Sequence, residues 1–475
     1  MKEGREPELL RVDTEPDPLS AQRGHVGRRG PAARSGSGIQ AKEAGSARRL
    51  AWLLGFCLPL SGGLPLNEWI HGYPNEFTVI RLVTFASLVW LVRSPDRKPL
   101  PRSSRAMIQT LLAVLAYAML SLVWTPHVTE GVHDVITVGM ALATGIVLLL
   151  LVSADRRGLA AFVTGVLLAG GLQVVLASIE VLTGYHVPSH FAAAYLEQWG
   201  ISNVETVFGR VAWGTMGNPN DLGGFWLMSA ALILCASAYG LRWSRGRMLM
   251  AWAVATVGIA IGLTCLDDAR AFRLGLAVLV VMYLLDRLMH QGGVLRVPVM
   301  LLIGCVGLAV SVVVGPSALE RITRSGGSDA FRLDLLATGF RTMLLTGGFG
   351  RGIGTERAMI DSGEIPMNFH NVVIQLGAEL GLVVAAVFLA YLLALLFSWA
   401  LGSRSARVIG RGPALARATL AVSLLVYGAT SSGVLESPHF WAFFVATALP
   451  ISATHRSTDR APGGARSPAR EGIPI

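Results

Sequence analysis

Charged residues are scarce in this chain of 475 residues. They make up 15% of it, whereas apolar residues make up 52%. A soluble protein normally carries about a quarter charged residues, so the composition excludes an ordinary soluble domain and is typical of a protein that crosses a membrane repeatedly. Cysteine is scarce as well, and the four cysteines have neither metal-ligand nor disulfide spacing. We expect them to be small buried hydrophobic residues: Cys57, Cys235, Cys265 and Cys305.

Much of the positive charge lies outside the apolar segments. The formal net charge is +10, and residues 1–49 combine Lys and Arg with Gly, Ser, Pro and Ala, without apolar periodicity. We expect this tail and the similar residues 454–475 to be disordered. Basic tails of this kind are typical of cytoplasmic anchors beside anionic lipid, so we expect membrane lipid and no nucleic acid as a partner. The first apolar stretch comes too late for a signal peptide.

Twelve apolar segments are candidate membrane spans, since a bilayer core needs about 20 apolar residues per helix and tolerates shorter ones. The sequence therefore predicts an all-α polytopic membrane protein, with residues 50–453 as its membrane domain and both tails on one side. The segments lie at 50–66, 77–92, 106–124, 132–152, 158–182, 221–240, 248–265, 272–288, 297–315, 371–399, 417–434 and 438–453.

Basic residues predict the orientation of these spans. One set of loops, exemplified by residues 93–105, is rich in arginine, which indicates a cytoplasmic location. The long connections at about 183–220 and 316–370 then face outward, the second between helices 9 and 10, and long loops often carry function. The short loops on the outward side contain no Lys or Arg: 67–76, 125–131 and 435–437.

The first long connection ends in a strong turn signal, Asn218-Pro219-Asn220-Asp221. Asn220 or Asp221 can cap a helix that begins at Leu222. Free amides at a helix N-terminus can also bind an anionic or sugar-like head group. Asn218 and Asn220 are therefore candidate substrate-binding residues as well as turn residues.

Four charged residues lie between the spans 248–265 and 272–288 with almost no loop. Charges at the edge of a membrane are costly and are usually functional. An arginine here could bind a diphosphate through its planar fork of donors. The alternative is a self-neutralising hairpin in which the two aspartates pair with the two arginines. The residues are Asp267, Asp268, Arg270 and Arg273.

Residues 328–346 of the second connection have helical periodicity. Arg341, Asp334 and Thr338 are predicted to face water, opposite an apolar face. Arg332 falls at the rim of that face, where it can point into a site while its stem packs, although a rim arginine can also merely snorkel. The predicted apolar face consists of Leu333, Leu336, Phe340, Met343 and Leu344.

The connection closes with a glycine-rich run at 347–354 and then Asn368-Phe369-His370-Asn371, just before an apolar helix. No strand precedes the glycines, so we interpret them as a tight loop and not as a nucleotide site. Histidine titrates near neutral pH, so His370 can do proton chemistry on a lipid-borne head group, or merely hydrogen-bond a neighbouring loop. The other outward histidines show no ligand spacing, so we infer no metal and no cofactor.

In their order and spacing these motifs resemble the O-antigen ligase and polymerase superfamily, which includes teichuronic-acid-type polymerases and pilin oligosaccharide ligases. Arg210 stands where that family often has arginine, whereas its usual Ser-Arg pair is Ala269-Arg270 here, with a second arginine at Arg273. The resemblance covers about residues 50–453. It is carried by Gly214-Thr215-Met216-Gly217-Asn218-Pro219-Asn220-Asp221-Leu222, Arg270, Phe331-Arg332, Gly350-Arg351-Gly352-Ile353-Gly354, His370-Asn371 and Glu379-Leu380-Gly381.

The resemblance implies a GT-C-like, metal-independent glycosyltransferase at the outer face of the bacterial cytoplasmic membrane. Such an enzyme takes a glycan from a polyprenyl diphosphate carrier and passes it to a hydroxyl of an acceptor glycan, lipid or protein. By this analogy Arg270 and Arg332 would hold the diphosphate, and His370 would assist at the acceptor or the leaving group. Arg210, Arg273 and Asn371 would contribute to substrate binding.

Two other classes of protein remain open. A transporter or flippase of lipid-linked oligosaccharide would also place polar groups near the membrane, but it would favour internal inverted repeats, and none is evident. A receptor or assembly scaffold would not need a histidine beside converging arginines. A diphosphate is already a good leaving group, so an enzyme would need mainly charge stabilisation and positioning.

Overall fold

The computed structural model describes the chain in several stretches, and every regular element in them is a helix. Residues Met1–Glu43 and Ala44–Ile475 form two compact units. Of the first unit, the described part is 35–43, the beginning of a helix. The stretches are 35–61, 78–94, 99–155, 157–185, 212–216, 219–238, 270–290, 328–365, 368–401, 411–429 and 433–449, with single positions at 248, 251, 254, 255, 258 and 431.

The helices are numbered here in chain order. In the first half they are α1 (Ser35–Cys57), which a 3-10 turn at Leu58–Ser61 extends, α2 (Val79–Arg93), α3 (Arg102–Ser121), α4 (Val128–Ala154), α5 (Gly158–Thr183), α6 (Pro219–Ala238) and α7 (Arg270–His290). In the second half they are α8 (Ser328–Leu345), α9 (Thr355–Asp361), α10 (Val372–Leu380), α11 (Leu382–Ala400), α12 (Arg411–Gly428), a 3-10 turn at Val434–Glu436, and α13 (Pro438–Ala446).

Four of these helices, α3, α4, α5 and α11, are long and apolar enough to cross a membrane. Shorter apolar helices occur at Gly275–Asp286 and Gly412–Gly428. The prediction of an all-α protein with apolar membrane-type helices is confirmed for the described residues. The count of twelve spans stays a prediction, because segment 297–315 and most of 248–265 lie outside the described residues.

Helix α4 occupies the interior of the second unit. It packs against α2 and α3 on one side and against α13 on the other, and α12 packs against α6, α7 and α11. Aromatic rings fill the space between α11 and α13, where the ring centroids of Phe388 and Phe444 are 5.4 Å apart. The end of α12 lies against the beginning of α10, the first turn of α6 contacts the end of α12, and the beginning of α7 packs on α6.

The helix predicted over 371–399 is broken, so the prediction of one continuous span is wrong. Helix α10 ends at Leu380, α11 begins at Leu382, and Gly381 between them has φ +89°. The glycine-rich run, residues 347–354, packs into this break. The Leu382 amide donates to the Gly348 carbonyl at 2.7 Å, and the Arg351 amide donates to the Ala378 carbonyl at 2.7 Å. Backbone groups that the break exposes are thus paired by the loop, which apolar surroundings require.

Helix α8 buries a different face from the one predicted. Leu335, Gly339, Thr342 and Met343 are buried, whereas the apolar residues Leu333, Phe340 and Leu344 are exposed. The reason is close packing on α10, because a Cβ at Gly339 would lie 2.3 Å from Ile374. Of the predicted polar face, Asp334 and Arg341 are exposed, as expected, and Thr338 is half-buried.

Helix α6 begins three residues earlier than predicted, at Pro219, which suits the first position of a helix because proline has no amide hydrogen to pair. Asn220 and Asp221 therefore lie in the first turn, and neither is the cap of a helix that starts at Leu222. The Asp221 carboxylate instead accepts hydrogen bonds from Tyr427, at 3.1 Å, and from Ser431. This correction turns a local cap into a tertiary contact between α6 and the end of α12.

We predict that Gly350→Ala destabilises the protein far more than Gly347→Ala. Both glycines have positive φ, +80° and +63°, which costs a residue with a side chain roughly 1–2 kcal/mol. At Gly350 a Cβ would also lie 2.4 Å from the Glu379 carbonyl oxygen, whereas at Gly347 it would meet open space. Thermal unfolding of the two purified variants measures the difference. Equal losses would show that the loop does not pack tightly into the helix break.

Candidate functional site

The polar segment from Asn368 to Asn371 lies between α9 and α10. A helix cap and a buried aromatic ring fix its backbone. Asn371 is the N-cap of α10, since its Oδ1 accepts from the amides of Val373, at 3.0 Å, and Ile374, at 3.1 Å. Phe369 is buried in a small apolar cluster with Leu335. The structure thus assigns Asn371 an architectural contact, and its predicted part in substrate binding stays a prediction.

His370 adopts a backbone conformation that is unusual for its residue type. Its φ is +50°, and among the described residues it is the one non-glycine residue with positive φ. Such a conformation costs about 1–3 kcal/mol and persists only where the surroundings impose it. Strained residues of this kind cluster at functional sites, so the backbone supports the choice of His370 as a candidate catalytic residue.

A buried carboxyl group adds hydrogen bonds on both sides of His370. Glu356, on α9, is 3% exposed. Its Oε1 accepts a hydrogen bond from the backbone amide of Phe369, and its Oε2 accepts from the side-chain amides of Asn368, at 3.3 Å, and Gln375, at 2.7 Å. The donors lie on both sides of His370 in the chain. We name Glu356, Asn368 and Gln375 the carboxyl clamp of the histidine loop.

Helix α9, which carries Glu356, makes further hydrogen bonds and ion pairs with its neighbours. The Glu356 backbone amide donates to Glu379 Oε1 at 3.1 Å. The next residue, Arg357, donates from Nε to Asp134 Oδ1 at 2.7 Å and from Nη2 to Glu436 Oε1 at 3.3 Å. One arginine therefore bridges α4, α9 and the second 3-10 turn. Asp134 and Glu436 both pair with Arg357, so the helix that carries Glu356 is held by ionic contacts as well as by packing.

Burial, together with the negative charges of Glu436 and Asp134, raises the pKa of the Glu356 carboxyl to about 8, against the opposing hydrogen bond from the Phe369 amide. The pKa of Glu436 is raised as well, first by burial and then by Asp134. The Glu356 proton is therefore exchangeable near neutral pH, in direct contact with the histidine loop.

Helix α8 places Arg332 at the level of this loop. Gly339 packs on Ile374 and Phe369, and further along, Met343 packs on Gly377, so α8 and α10 run in the same direction. Arg332 lies seven residues before Gly339 on the same helical face. Its position is therefore beyond the beginning of α10, beside the segment that contains His370. The structure describes the helix at Arg332 but not its side chain.

Helices α6 and α7 approach the same region through the end of α12. A Cβ at Gly428 would lie 2.5 Å from Val372, the residue after the histidine loop. One residue earlier, the Tyr427 hydroxyl donates a hydrogen bond to Asp221 in the first turn of α6. The rings of Phe272, near the start of α7, and Trp226, on α6, have centroids 6.4 Å apart.

The predicted site residues therefore belong to converging segments. Asn220 lies in the first turn of α6, and Arg270 and Arg273 lie in the first turn of α7. The side chains of both arginines, like that of Arg332, are not described, and Arg210 and Asn218 lie outside the described residues. What the structure brings together is the helix starts that carry Asn220 and Arg270, the Arg332 turn of α8, and the histidine loop.

A second buried polar network holds the first turn of α6 in place. The hydroxyl of Tyr427 also contacts His439 Nε2 at 2.7 Å, and Ser437 Oγ contacts His439 Nδ1 at 2.8 Å. His439 is buried and packed against the Tyr427 ring. The network links α6, α12 and α13, so it positions Asn220 and Asp221 relative to α10.

Sequence reasoning missed the buried polar residues that support the histidine loop and helix α9. Glu356, Gln375 and Asp134 were not selected, and Glu379 was noted only as part of a motif. The available signal was an acidic residue inside an apolar segment, as Asp134 is in the span predicted at 132–152. Within the described stretches, no group of three or more His, Cys, Asp or Glu side chains is arranged to hold a metal ion.

No protein-family model matches the chain, and no curated protein matches it either.

We predict that Glu356→Gln flattens the pH dependence of stability. The folded protein keeps the Glu356 proton up to about pH 8, whereas the unfolded chain releases it near the ordinary pKa of 4.5. Folding stability should therefore fall as pH rises between these values, because the native state binds more protons there. Glutamine has no such proton, so the variant should lose this slope.

Thermal unfolding of the purified protein between pH 5 and 8 measures the slope. Glu364→Gln is the matched control, because Glu364 is exposed and makes only a 3.7 Å contact with Arg351. Parallel curves for the wild type and Glu356→Gln would show that the buried carboxyl does not hold a proton in the folded state.

Proposed function

We propose that this protein is a membrane glycosyltransferase of the O-antigen ligase and polymerase type, acting at the outer face of the bacterial cytoplasmic membrane. It would transfer or polymerise a glycan from a polyprenyl diphosphate donor onto an acceptor hydroxyl. The observation that supports this most strongly is the convergence of four separate segments, those of Asn220, Arg270, Arg332 and His370, on one region. The apolar helices that surround it are compatible with a lipid-borne substrate.

The reaction needs little covalent chemistry from the protein. The acceptor hydroxyl oxygen forms a bond to the anomeric carbon of the donor sugar, and the bond from that carbon to the diphosphate oxygen breaks. The diphosphate leaves with the electron pair, so its growing negative charge has to be stabilised. Arg270 and Arg332 are suited to this because a guanidinium can contact two phosphate oxygens at once.

In this proposal His370 takes the proton from the acceptor hydroxyl as the bond to the sugar forms. Its loop is held on both sides by Glu356, so its ring is presented from a fixed backbone. Fixed geometry matters because a displacement of about 1 Å can cost a hundredfold in rate. In this proposal Glu356 is a positioning residue that acts through the histidine loop and does not contact the substrate.

We predict that Arg332→Ala and Arg270→Ala abolish transfer at near-normal protein abundance. Arg332→Lys and Arg270→Lys should remain strongly impaired, since a point charge lacks the donor fork of arginine. Arg341→Ala is the matched control on α8, because Arg341 is exposed on the other side of the helix. Transfer of glycan in isolated membranes, normalised to protein amount, is the measurement. Full activity of both lysine variants would refute bidentate binding of the diphosphate.

We predict that His370→Gln and His370→Asn both lose about 10²–10⁴-fold in rate, the usual cost of removing a general acid or base. Asparagine tolerates positive φ better than most residues, so this variant preserves the loop while removing the titratable group. His186→Gln, in the predicted outer loop, should remain active. Near-normal turnover by either His370 variant would exclude acid–base catalysis by His370. It would not exclude a glycosyltransferase that works without it.

A further inference from the structure

A cleft opens beside the glycine-rich run. The end of α3, the end of α8 and the start of α11 meet there, around residues 346–351. The cleft has a volume of ≈ 390 Å³ and is lined by Trp124, Thr346, Phe349, Gly350 and Arg351. A space of this size suits the head group of a small ligand.

Hydrogen bonds between side chains and the backbone fix the walls of the cleft. Trp124 Nε1 donates to the Gly350 carbonyl at 3.2 Å, and the Tyr117 hydroxyl donates to the Phe349 carbonyl at 3.2 Å. The Gly350 amide donates to Thr346 Oγ1 at 3.2 Å. The cleft is therefore preformed, and the guanidinium of Arg351 is the charged group left to meet a ligand.

The Arg351 guanidinium makes one weak ionic contact, with Glu364. Its Nη1 lies 3.7 Å from Glu364 Oε2, and the two side chains are 34% and 53% exposed. An exposed pair at this distance contributes little, so a phosphate that approaches the cleft can replace Glu364. The planar donor fork of arginine fits two phosphate oxygens.

The rim of the cleft is apolar and exposed. Apolar side chains next in sequence to lining residues are exposed as well: Val123, before Trp124, at 81% and Leu345, before Thr346, at 80%. Phe349 is 69% exposed in the same place. Tryptophan and tyrosine beside such a rim are typical of the membrane interface. A cation next to apolar side chains at an interface is complementary to an amphiphile with an anionic head.

We propose that this cleft binds the phosphate of an anionic glycerophospholipid of the surrounding bilayer, with Arg351 on the phosphate and the acyl chains along the exposed Phe349. The cleft is distinct from the candidate transfer site. The Arg351 amide is bonded to Ala378, near the end of α10, whereas His370 precedes its first residue. The seven helical residues from Val372 to Ala378 span about 10 Å.

The test measures lipid retention by native mass spectrometry of the full chain, purified in mild detergent and exposed to phosphatidylglycerol or phosphatidylcholine. The wild type should retain phosphatidylglycerol preferentially. Arg351→Gln should bind it about tenfold more weakly, and Arg351→Lys should fall between them, because hydrogen bonds to charged groups are the strong ones. Arg341→Gln, which removes the same charge from an exposed position on α8, should behave like the wild type.

Three outcomes would overturn the proposal. Equal losses for Arg351→Gln and Arg341→Gln would mean that the lipid is attracted by overall charge. Displacement of phosphatidylglycerol by millimolar inorganic phosphate would identify a site for a soluble anion. Displacement by polyprenyl phosphate at far lower concentration than by phosphatidylglycerol would assign the cleft to the carrier lipid. Transfer activity is not used as a readout, so the result is independent of the proposed glycosyltransferase function.

Discussion

The hydrogen bonds that Glu356 accepts from both sides of His370 are the contact on which the candidate site depends. They act together with the N-cap at Asn371 and the burial of Phe369 on a histidine that has φ +50°. An acceptor that meets several donors inside a protein is worth more than one in water, and its loss leaves several donors unpaired at once. The ionic contacts of Arg357 with Asp134 and Glu436 keep the short helix α9 in the place that this clamp requires.

A second constraint comes from the surroundings of the helices. Backbone groups in an apolar environment have to be paired, so a helix can be interrupted there only where another segment supplies partners. The glycine-rich run does this at Gly381, and only residues without a Cβ allow its backbone to approach so closely. The same run lines the cleft that contains Arg351. One loop therefore pairs the backbone groups of the α10–α11 break and also lines the proposed lipid site.

Sequence reasoning predicted the helical class, most helix positions and the histidine loop, because apolar composition and strong turn signals are local features. It was wrong where tertiary packing decided. The buried face of α8 follows from Gly339 lying against Ile374, so Phe340 and Leu344 are exposed although they are apolar. The break at Gly381 depends on a loop 30 residues earlier, and Asp221 is bonded to α12 instead of capping its own helix. Glu356 was missed because its role lies entirely in partners that are brought near it by folding.

The central claim is that this site transfers glycan from a lipid-linked diphosphate donor. The most direct test is the purified protein in liposomes, given a defined polyprenyl-diphosphate oligosaccharide and candidate hydroxyl acceptors, with chelator and without nucleotide. The proposed function predicts that glycan appears on an acceptor, that one polyprenyl diphosphate is released for each transfer, and that Glu356→Ala removes both products. Movement of intact donor between the leaflets, with no glycan on any acceptor, would contradict it and would favour a flippase.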